Sequence, residues 1–321
     1  RILLAQSNDS YGRGKVALDA KHYAEAEEAF AHAELDAPGM TNALALRAKA
    51  LINLLKFEEA QRCLDEYLKS HPNSADAKYL LGYVLFRRDK PAESLAVYTA
   101  AAALQRPTPD DFKVVGLDYV LLNDYADAVR WLERAVSEGP TSEEAVYYLG
   151  RAYYVQNKFD KAILMFERAL QLEPGDAKAE NNLGLALAAK NQSAAAEAAY
   201  RKAIEIAETS RHKTDQPYIN LAELLSHTER QREGLSLLET AEQIGGKSSH
   251  AEELRGQILL AQAKLADAEA AFRTAISMKP DNGALHYLLG RVLKREGKLD
   301  DAEKEFAASK TLTAARSSTP N

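Results

Sequence analysis

Residues 147–174 read YYLGRAYYVQNKFDKAILMFERALQLEP, and this stretch decides the fold because its pattern recurs along the chain. Its small residue Ala162 has counterparts at steps of 34 residues, apart from one step of 38. A fixed period of this size is typical of solenoids, in which each unit is one supersecondary element stacked on its neighbours. The column comprises Ala26, Ala60, Ser94, Ala128, Ala162, Ala196, Gly234, Ala268 and Ala302.

Three further columns keep the same register. A second small residue stands twelve positions before each member of the first column and is glycine in seven units. A large apolar or aromatic residue stands four positions after each member of the first column. In five units a proline stands twelve positions after that member. The sequence therefore predicts one array of nine units. The large residues are Phe30, Leu64, Tyr98, Leu132, Phe166, Tyr200, Leu238, Phe272 and Phe306, and the prolines are Pro38, Pro72, Pro140, Pro174 and Pro280.

Each unit reads as two antiparallel helices. Leu149, Gly150 and Tyr153 are spaced for one face of a first helix, and Ala162 and Phe166 continue the pattern in a second. A glycine inside a helix costs about 1 kcal/mol relative to alanine, so seven glycines at one position need compensation. We expect Gly150 to face Ala162 where the two helices cross closely, with Phe166 filling the space beside the contact.

These residues resemble the tetratricopeptide repeat family, whose period and motif they follow over about residues 7–316. The resemblance implies an all-α, right-handed α-solenoid of about nine helix-turn-helix repeats. We expect residues 1–6 to form an N-terminal extension and residues 317–321 a disordered tail. The four extra residues fall near 211–214, where we favour a longer connection over a longer helix. Unit three departs most from the pattern, with Ser94 for alanine and Pro91 for an aromatic residue.

The bulk properties restrict the function. A net charge of −6 and a pI near 5.8 argue against a general nucleic-acid or anionic-membrane binder. No apolar run approaches the length that spans a bilayer, so the chain is not expected to be membrane-spanning. A single cysteine, Cys63, excludes an internal disulfide and reads as a packing thiol. The compartment stays unknown; the cytoplasm or a bacterial periplasm would both suit this alanine-rich sequence.

No motif for catalysis, a metal or a cofactor emerges. Residues 12–17 fit the loose pattern G-x-G-x-x-A, but Gly14 belongs to the repeat's own small-residue column within a helix. The seven histidines form neither His-Glu-x-x-His nor a Cys/His cluster, and no serine-nucleophile elbow is present. We therefore predict that the chain is not an enzyme and needs no cofactor.

Specificity is expected on a stripe of the first helices that the packing columns leave free, at positions equivalent to 147, 151 and 154. In proteins of this family that stripe lines the concave surface and contacts extended peptides or partner helices. Tyrosine and arginine, which often anchor interfaces, recur there, although a tyrosine can also be a plain spacer between helices. The candidates are Tyr79, Tyr83, Phe86, Arg87, Tyr147, Arg151, Tyr154, Tyr287 and Arg291.

Asn182 and Asn220 occupy one column in consecutive units, with Asn181 alongside. In some family members an asparagine row hydrogen-bonds the backbone of an extended peptide, and solvated polar positions are an equal alternative here. The family's clamp for chaperone tails is disfavoured, because Lys178 and Asn182 are not followed by the required basic and asparagine pairs.

The leading hypothesis is a non-catalytic scaffold or adaptor that binds a protein or peptide partner in its concave groove. One alternative is a structural protein that self-associates through its ends or through the convex face around Trp131. Another is the regulatory or substrate-binding region of an enzyme whose catalytic part lies outside this chain.

Overall fold

The computed structural model describes residues 2–36, 41–139, 142–210 and 213–318, and that part of the chain contains 18 α-helices and no strand. The first helices of the pairs are α1 Ile2–Asp19, α3 Thr41–Asn53, α5 Ala75–Arg87, α7 Pro109–Leu121, α9 Glu143–Val155, α11 Ala177–Ala189, α13 Gln216–Ser226, α15 Ser249–Ala261 and α17 Gly283–Arg295. The second helices are α2 Tyr23–Asp36, α4 Phe57–Ser70, α6 Pro91–Ala102, α8 Tyr125–Glu138, α10 Phe159–Leu172, α12 Ser193–Thr209, α14 Gln231–Gly245, α16 Leu265–Met278 and α18 Leu299–Ser318.

Short turns join the two helices of a pair, and in eight of the nine described pairs the turn contains one left-handed residue. Asn157 is such a residue, with φ 57°. The backbone amide of the following residue, Lys158, donates to the carbonyl of Tyr153 at 2.9 Å. This arrangement satisfies carbonyls at the helix end and reverses the chain. Asparagine and glycine adopt the conformation readily, but Leu55 and Ala263 do so against the preference of L-residues. Residues with positive φ at this position are Lys21, Leu55, Asp89, Asn123, Asn157, Asn191, Ala263 and Gly297.

The small-residue columns bring the paired helices into close contact, as the spacing predicted. The Ser94 hydroxyl donates to the Gly82 carbonyl at 2.9 Å, and a Cβ on Gly234 would lie 3.4 Å from the Ala222 carbonyl oxygen. The reason for glycine is different from the expected one. A Cβ on Gly82 would lie 2.6 Å from the ring of Tyr98, so the missing side chain makes room for the large residue of the second helix.

The same contact recurs at the other glycines of that column whose surroundings the structure describes. An added Cβ on Gly184 would lie 2.5 Å from the ring of Tyr200, and Gly14, Gly116, Gly256 and Gly290 meet their large partners in the same way. Substitution by alanine would require the ring to move, because real Cβ atoms do not approach this closely. The specific pairing of Gly150 with Ala162 stays a prediction.

The described residues divide into two compact units, one up to Met165 and one from Phe166 onward. Each has its own apolar core, built largely from the columns of the repeat. Phe30, Leu64 and Leu132 are fully buried in the first unit, and Leu238 and Phe272 are fully buried in the second. Adjacent first helices also touch, as α5 does with α7 and α7 with α9, so their free faces adjoin.

Three second helices depart clearly from the usual length of about 14 residues: α6, α12 and the terminal α18, which has 20. Helix α12 has 17 residues and ends at Thr209, so most of the insertion lengthens the helix, where we had favoured a longer connection. Alanine and glutamate continue its pattern without a breaker, which explains the extension. Helix α6 has 12 residues, and residues 103–108 form the loop that follows it.

The ends of the array also differ in detail from expectation. Helix α1 starts at Ile2, inside the segment predicted as an extension, and α18 continues to Ser318, inside the segment predicted as a disordered tail. Residues 319–321, Pro38, Pro140 and the central residues 211–212 of the insertion lie outside the described residues.

Candidate functional site

The predicted stripe is populated on α5 by Tyr83, Phe86 and Arg87. Tyr83 and Phe86 are half-buried with ring centroids 6.5 Å apart, and the exposed Arg87 donates to the Tyr83 hydroxyl at 2.8 Å. The Arg87 guanidinium lies 4.6 Å from the ring centre of Phe57 on α4. Cation–π contact of this kind holds a long flexible side chain in a defined position at the surface.

The side chain of Tyr79, which the register placed on the same stripe, is mostly occupied by contacts within the chain. Its side chain is 9% exposed, its ring lies 5.7 Å from that of Tyr98, and its hydroxyl donates to the Gln105 carbonyl at 2.5 Å. The bond anchors the loop that follows the short helix α6. Tyr79 therefore belongs mainly to packing within the unit and presents only an edge to solvent.

Helix α9 carries the second group of candidates. Tyr147, Arg151 and Tyr154 are all half-buried. The Tyr147 ring packs edge-on against Tyr148 at 5.2 Å, and the guanidinium of Arg151 lies 5.4 Å from the Tyr148 ring centre. The ring of Tyr154 lies 5.6 Å from Phe159. The register reasoning missed Tyr148, although its position directly before the packing column of α9 gave a usable signal.

Lys113 on α7 connects the two groups, and sequence analysis did not select it. Its ammonium lies 3.2 Å from a carboxylate oxygen of Glu144 on α9 and 3.9 Å from Asp110 on its own helix. We use "first-helix surface" for the face formed by Tyr83, Phe86, Arg87, Lys113, Tyr147, Arg151 and Tyr154.

A cavity of about 590 Å³ opens on this face between α5 and α7. We name it the tyrosine cavity because Tyr79, Tyr83 and Tyr98 line it, together with the carboxylates Asp76, Asp110 and Asp111. Its volume falls in the range of roughly 300–1,000 Å³ that is usual for ligand pockets. The early end of α6 creates the space, because residues Gln105 and Thr108 of the following loop form part of the wall.

The remaining candidates lie in the second compact unit. Tyr287 is 52% exposed with its ring 5.7 Å from Phe306, and Arg291 is exposed. Asn182 is half-buried and donates to the Lys178 carbonyl at 2.8 Å.

Asn220 does not extend an exposed asparagine row. It is 5% exposed, and its amide donates to the side-chain oxygen of Asn181 at 2.8 Å while it accepts from Gln216 at 3.0 Å. The bond to Asn181 joins α13 to α11 where the repeat step is 38 residues, and the bond from Gln216 lies within α13. Asn220 thus satisfies buried polar groups between units.

A buried carboxyl lies close to the tyrosine cavity. Asp118 on α7 is fully buried, and its Oδ2 lies 2.6 Å from the Ser94 hydroxyl, which also donates to the Gly82 carbonyl. Burial raises the pKa of Asp118 to about 7, against the lowering effect of the Ser94 hydrogen bond. The charge of Asp118 also affects a residue of the cavity. It contributes to the raised pKa of the Tyr98 phenol, although burial is the main cause of that rise.

Other chemistry is sparse in the part of the chain that the structure describes. No cluster of three or more histidine, cysteine or acidic side chains there could hold a metal ion. No helix among the described residues combines the length and the apolar character that a bilayer span requires. Burial raises the pKa of the Cys63 thiol to about 11, which disfavours the reactive thiolate.

Comparison with known proteins identifies the repeat. The sequence profile of the tetratricopeptide repeat matches residues 45–111, 116–177, 147–211 and 254–317. No curated protein matches the chain at a significant level.

Solved structures of repeat proteins superpose on most of the chain. A tetratricopeptide repeat protein from Parabacteroides merdae is 18% identical with a TM-score of 0.59, covering 79% of this chain and 98% of its own. The C-terminal part of a repeat protein from Cytophaga hutchinsonii is 19% identical with a TM-score of 0.53, covering 87% and 99%. YrrB, described as a repeat protein with an unusual peptide-binding site, is 25% identical with a TM-score of 0.51, covering 57% and 94%. With the recurring helix pairs and the profile matches together, the chain belongs to the tetratricopeptide repeat family and is an all-α helical-repeat protein.

Proposed function

We propose that this chain is a scaffold that binds a peptide segment of a partner protein along the first-helix surface of its first compact unit. The main support is that Tyr83 and Arg87 on α5 and Arg151 and Tyr154 on α9 remain at least partly accessible. Both helices adjoin α7, and an open cavity lies beside the α5 residues. Tyrosine and arginine are the residue types that most often dominate the binding energy of an interface. Repeats of this family generally mediate protein–protein interaction, and their fold is typically a non-catalytic scaffold.

The character of the first-helix surface supports a peptide over a globular partner. Its aromatic rings are held by contacts within the chain, as Tyr83 is by Phe86 and Tyr147 by Tyr148, so little side-chain entropy is lost on binding. YrrB, one of the similar structures, is described as having a peptide-binding site. Tyr287, Arg291 and Asn182 in the second compact unit stay predictions for a separate contact.

The test uses the full chain as bait for a random-peptide display library. Enriched peptides are synthesised, and their dissociation constants are measured by fluorescence anisotropy. Truncating a true anchor costs about 2 kcal/mol or more, which is roughly thirtyfold in affinity. The pair Tyr83→Ala and Arg151→Ala should therefore weaken binding by at least that factor, with an unchanged circular-dichroism spectrum.

The matched control replaces the same residue types on a second helix. Tyr125→Ala with Arg130→Ala removes one tyrosine and one arginine from α8, where Arg130 pairs only with its neighbour Asp127 in the described structure. We expect affinities within about twofold of the unmodified chain, since rim or remote residues contribute little. If the two double variants bind the peptide with equal affinity, the first-helix surface is not the binding site.

Self-association and a role as part of a larger enzyme stay predictions. The molar mass in solution by light scattering, measured with and without a selected peptide, tests the first of these.

A further inference from the structure

The tyrosine cavity has walls suited to a cation. The rings of Tyr79 and Tyr98 lie 5.7 Å apart and are tilted by 48°, with Tyr83 on the same wall. Aromatic faces attract an ammonium or guanidinium group within about 6 Å of the ring centre. The chain makes this contact itself next to the cavity, where the Arg87 guanidinium lies over Phe57 and 5.8 Å from Tyr83.

The charges around the cavity favour a cation as well. Asp76, Asp110 and Asp111 line it, against the two ammonium groups of Lys49 and Lys113. Lys113 is already balanced, because it pairs with Asp110 and with Glu144 beyond the lining. With the Arg87 guanidinium on Tyr83 included, these are four carboxylates and three cationic groups.

The negative charge reaches the aromatic walls. Burial, followed by the charge of Asp111, raises the pKa of both the Tyr79 and the Tyr98 phenol. Both phenols stay neutral near pH 7. Tyr79 is 9% and Tyr98 4% exposed, so the half-buried Tyr83 supplies most of the accessible aromatic area of the cavity. A carboxylate of a partner would be repelled here, whereas a cation would be attracted, and such complementarity decides which partner is accepted.

Part of the cavity wall is apolar. Leu80 and Val114 line the cavity together with the tyrosine rings. Lysine and arginine carry long aliphatic stems that pack on apolar surface while the charged head stays near polar groups. From these contacts we propose that the tyrosine cavity receives a lysine or arginine side chain of the bound peptide, with its charged group between the tyrosine rings and the carboxylates of Asp76 and Asp110.

This inference rests on the proposed function, because it names the chemistry of the partner at the same surface. The two arginines of the first-helix surface, Arg87 and Arg151, do not line the cavity. Both guanidinium groups already lie over aromatic rings of this chain, Arg87 over Phe57 and Arg151 over Tyr148. Asp111 accepts hydrogen bonds from Thr108, whereas Asp76 is exposed and the Asp110 side chain, 3.9 Å from Lys113, is 89% exposed, so these two carboxylates remain accessible to a ligand.

The first experiment titrates the full chain, with isotope-labelled tyrosine rings, with N-acetyl-arginine amide and monitors ring shifts by NMR. N-acetyl-citrulline amide is the control ligand, because it has nearly the same shape and no charge. We expect saturable shifts of the Tyr79 and Tyr98 rings with arginine amide, and binding at least tenfold weaker with citrulline amide. Equal effects of the two amides, or no shift of these rings, would overturn the cavity assignment.

The second experiment changes the charges. Asp76→Asn with Asp110→Asn should weaken arginine-amide binding about tenfold, and Lys49→Gln should strengthen it by removing a like charge. The matched control is Asp65→Asn with Glu66→Gln, which removes two exposed negative charges from α4. An equal loss with the control pair would indicate only the overall charge of the chain and would contradict a local site.

The outcomes separate this inference from the proposed function. Peptides from the display library should share a lysine or arginine whose replacement by glutamine costs at least tenfold in affinity. Peptides that need Tyr83 and Arg151 but have no such residue would refute the cavity proposal and leave the scaffold function intact. Peptides that are indifferent to Tyr83 and Arg151 would refute both.

Discussion

At the scale of single residues, Ser94 and Asp118 explain the clearest departure from the repeat pattern. Unit three has serine where alanine is usual, and the hydroxyl lies within hydrogen-bond distance of both the Gly82 carbonyl and the Asp118 carboxyl. A hydroxyl has one hydrogen to donate, and the carbonyl can only accept it. A protonated Asp118 can donate to the Ser94 oxygen while Ser94 donates to the Gly82 carbonyl, which agrees with a pKa raised to about 7. The other carboxyl oxygen, Oδ1, is buried without a hydrogen-bond partner in the described structure.

This arrangement predicts a specific pH dependence of stability. The folded pKa of Asp118 lies above its unfolded value near 3.9, so the folded state binds the proton more tightly. Its contribution to the free energy of unfolding is complete below about pH 4 and is lost as the pH rises through about 7, with a slope of at most about 1.4 kcal/mol per pH unit. Denaturant titrations of the unmodified chain and of Asp118→Asn at several pH values measure the difference.

Asparagine cannot titrate, so the difference between the two chains should change steadily between pH 4 and 7 and level off above. A difference that is constant across this range would show that Asp118 is ionised throughout.

At the scale of helices and turns, the sequence columns predicted every helix pair, because each pair must present the same small and large residues to its neighbours. The close crossing at Gly82 and Ser94 followed from the spacing alone. The lengths of α6 and α12 did not, since no breaker marks the end of α12 and the loop after α6 makes a tertiary bond, from Tyr79 to Gln105, that spacing does not reveal.

The helices that carry the candidate residues could be predicted from the sequence, whereas the cavity beside them could not. Register placed Tyr83, Arg87 and Arg151 correctly on first helices, because position within a 34-residue unit determines the face. Register could not show that the shortened α6 and its loop open a cavity. For the same reason Asp76 and Asp110 looked like ordinary solvated acids near helix starts, and only the structure places them beside tyrosine rings.

The turns between paired helices predict a stabilising substitution. Ala263 has φ 57°, a conformation that costs an L-residue about 1–2 kcal/mol and glycine nearly nothing. Part of that gain is offset by the greater entropy of glycine in the unfolded chain. We expect Ala263→Gly to raise the free energy of unfolding by about 0.5–1 kcal/mol in chemical denaturation.

The control is Ala261→Gly, two residues earlier, at the exposed last residue of α15. Glycine in a helix is less favourable than alanine by up to about 1 kcal/mol, so this change should destabilise the chain. If both substitutions destabilise it equally, the strain assigned to Ala263 is absent.

At the scale of the whole molecule, the repeat divides its tasks between columns. The packing columns build the two compact units. The first-helix positions outside these columns are not needed for packing and carry the candidate contacts. The first unit holds the aromatic and basic residues of the first-helix surface together with the tyrosine cavity, while Tyr287 and Arg291 belong to the second. A repeat protein with a net charge of −6 and an acidic cavity is suited to partners with basic segments.

The most direct test of the peptide-binding account is a crystal structure of the full chain with the tightest peptide from the display library. We predict that the peptide lies across α5, α7 and α9, in contact with Tyr83 and Arg151. A peptide that lies instead on the second helices, around Trp131 on α8, would contradict the account.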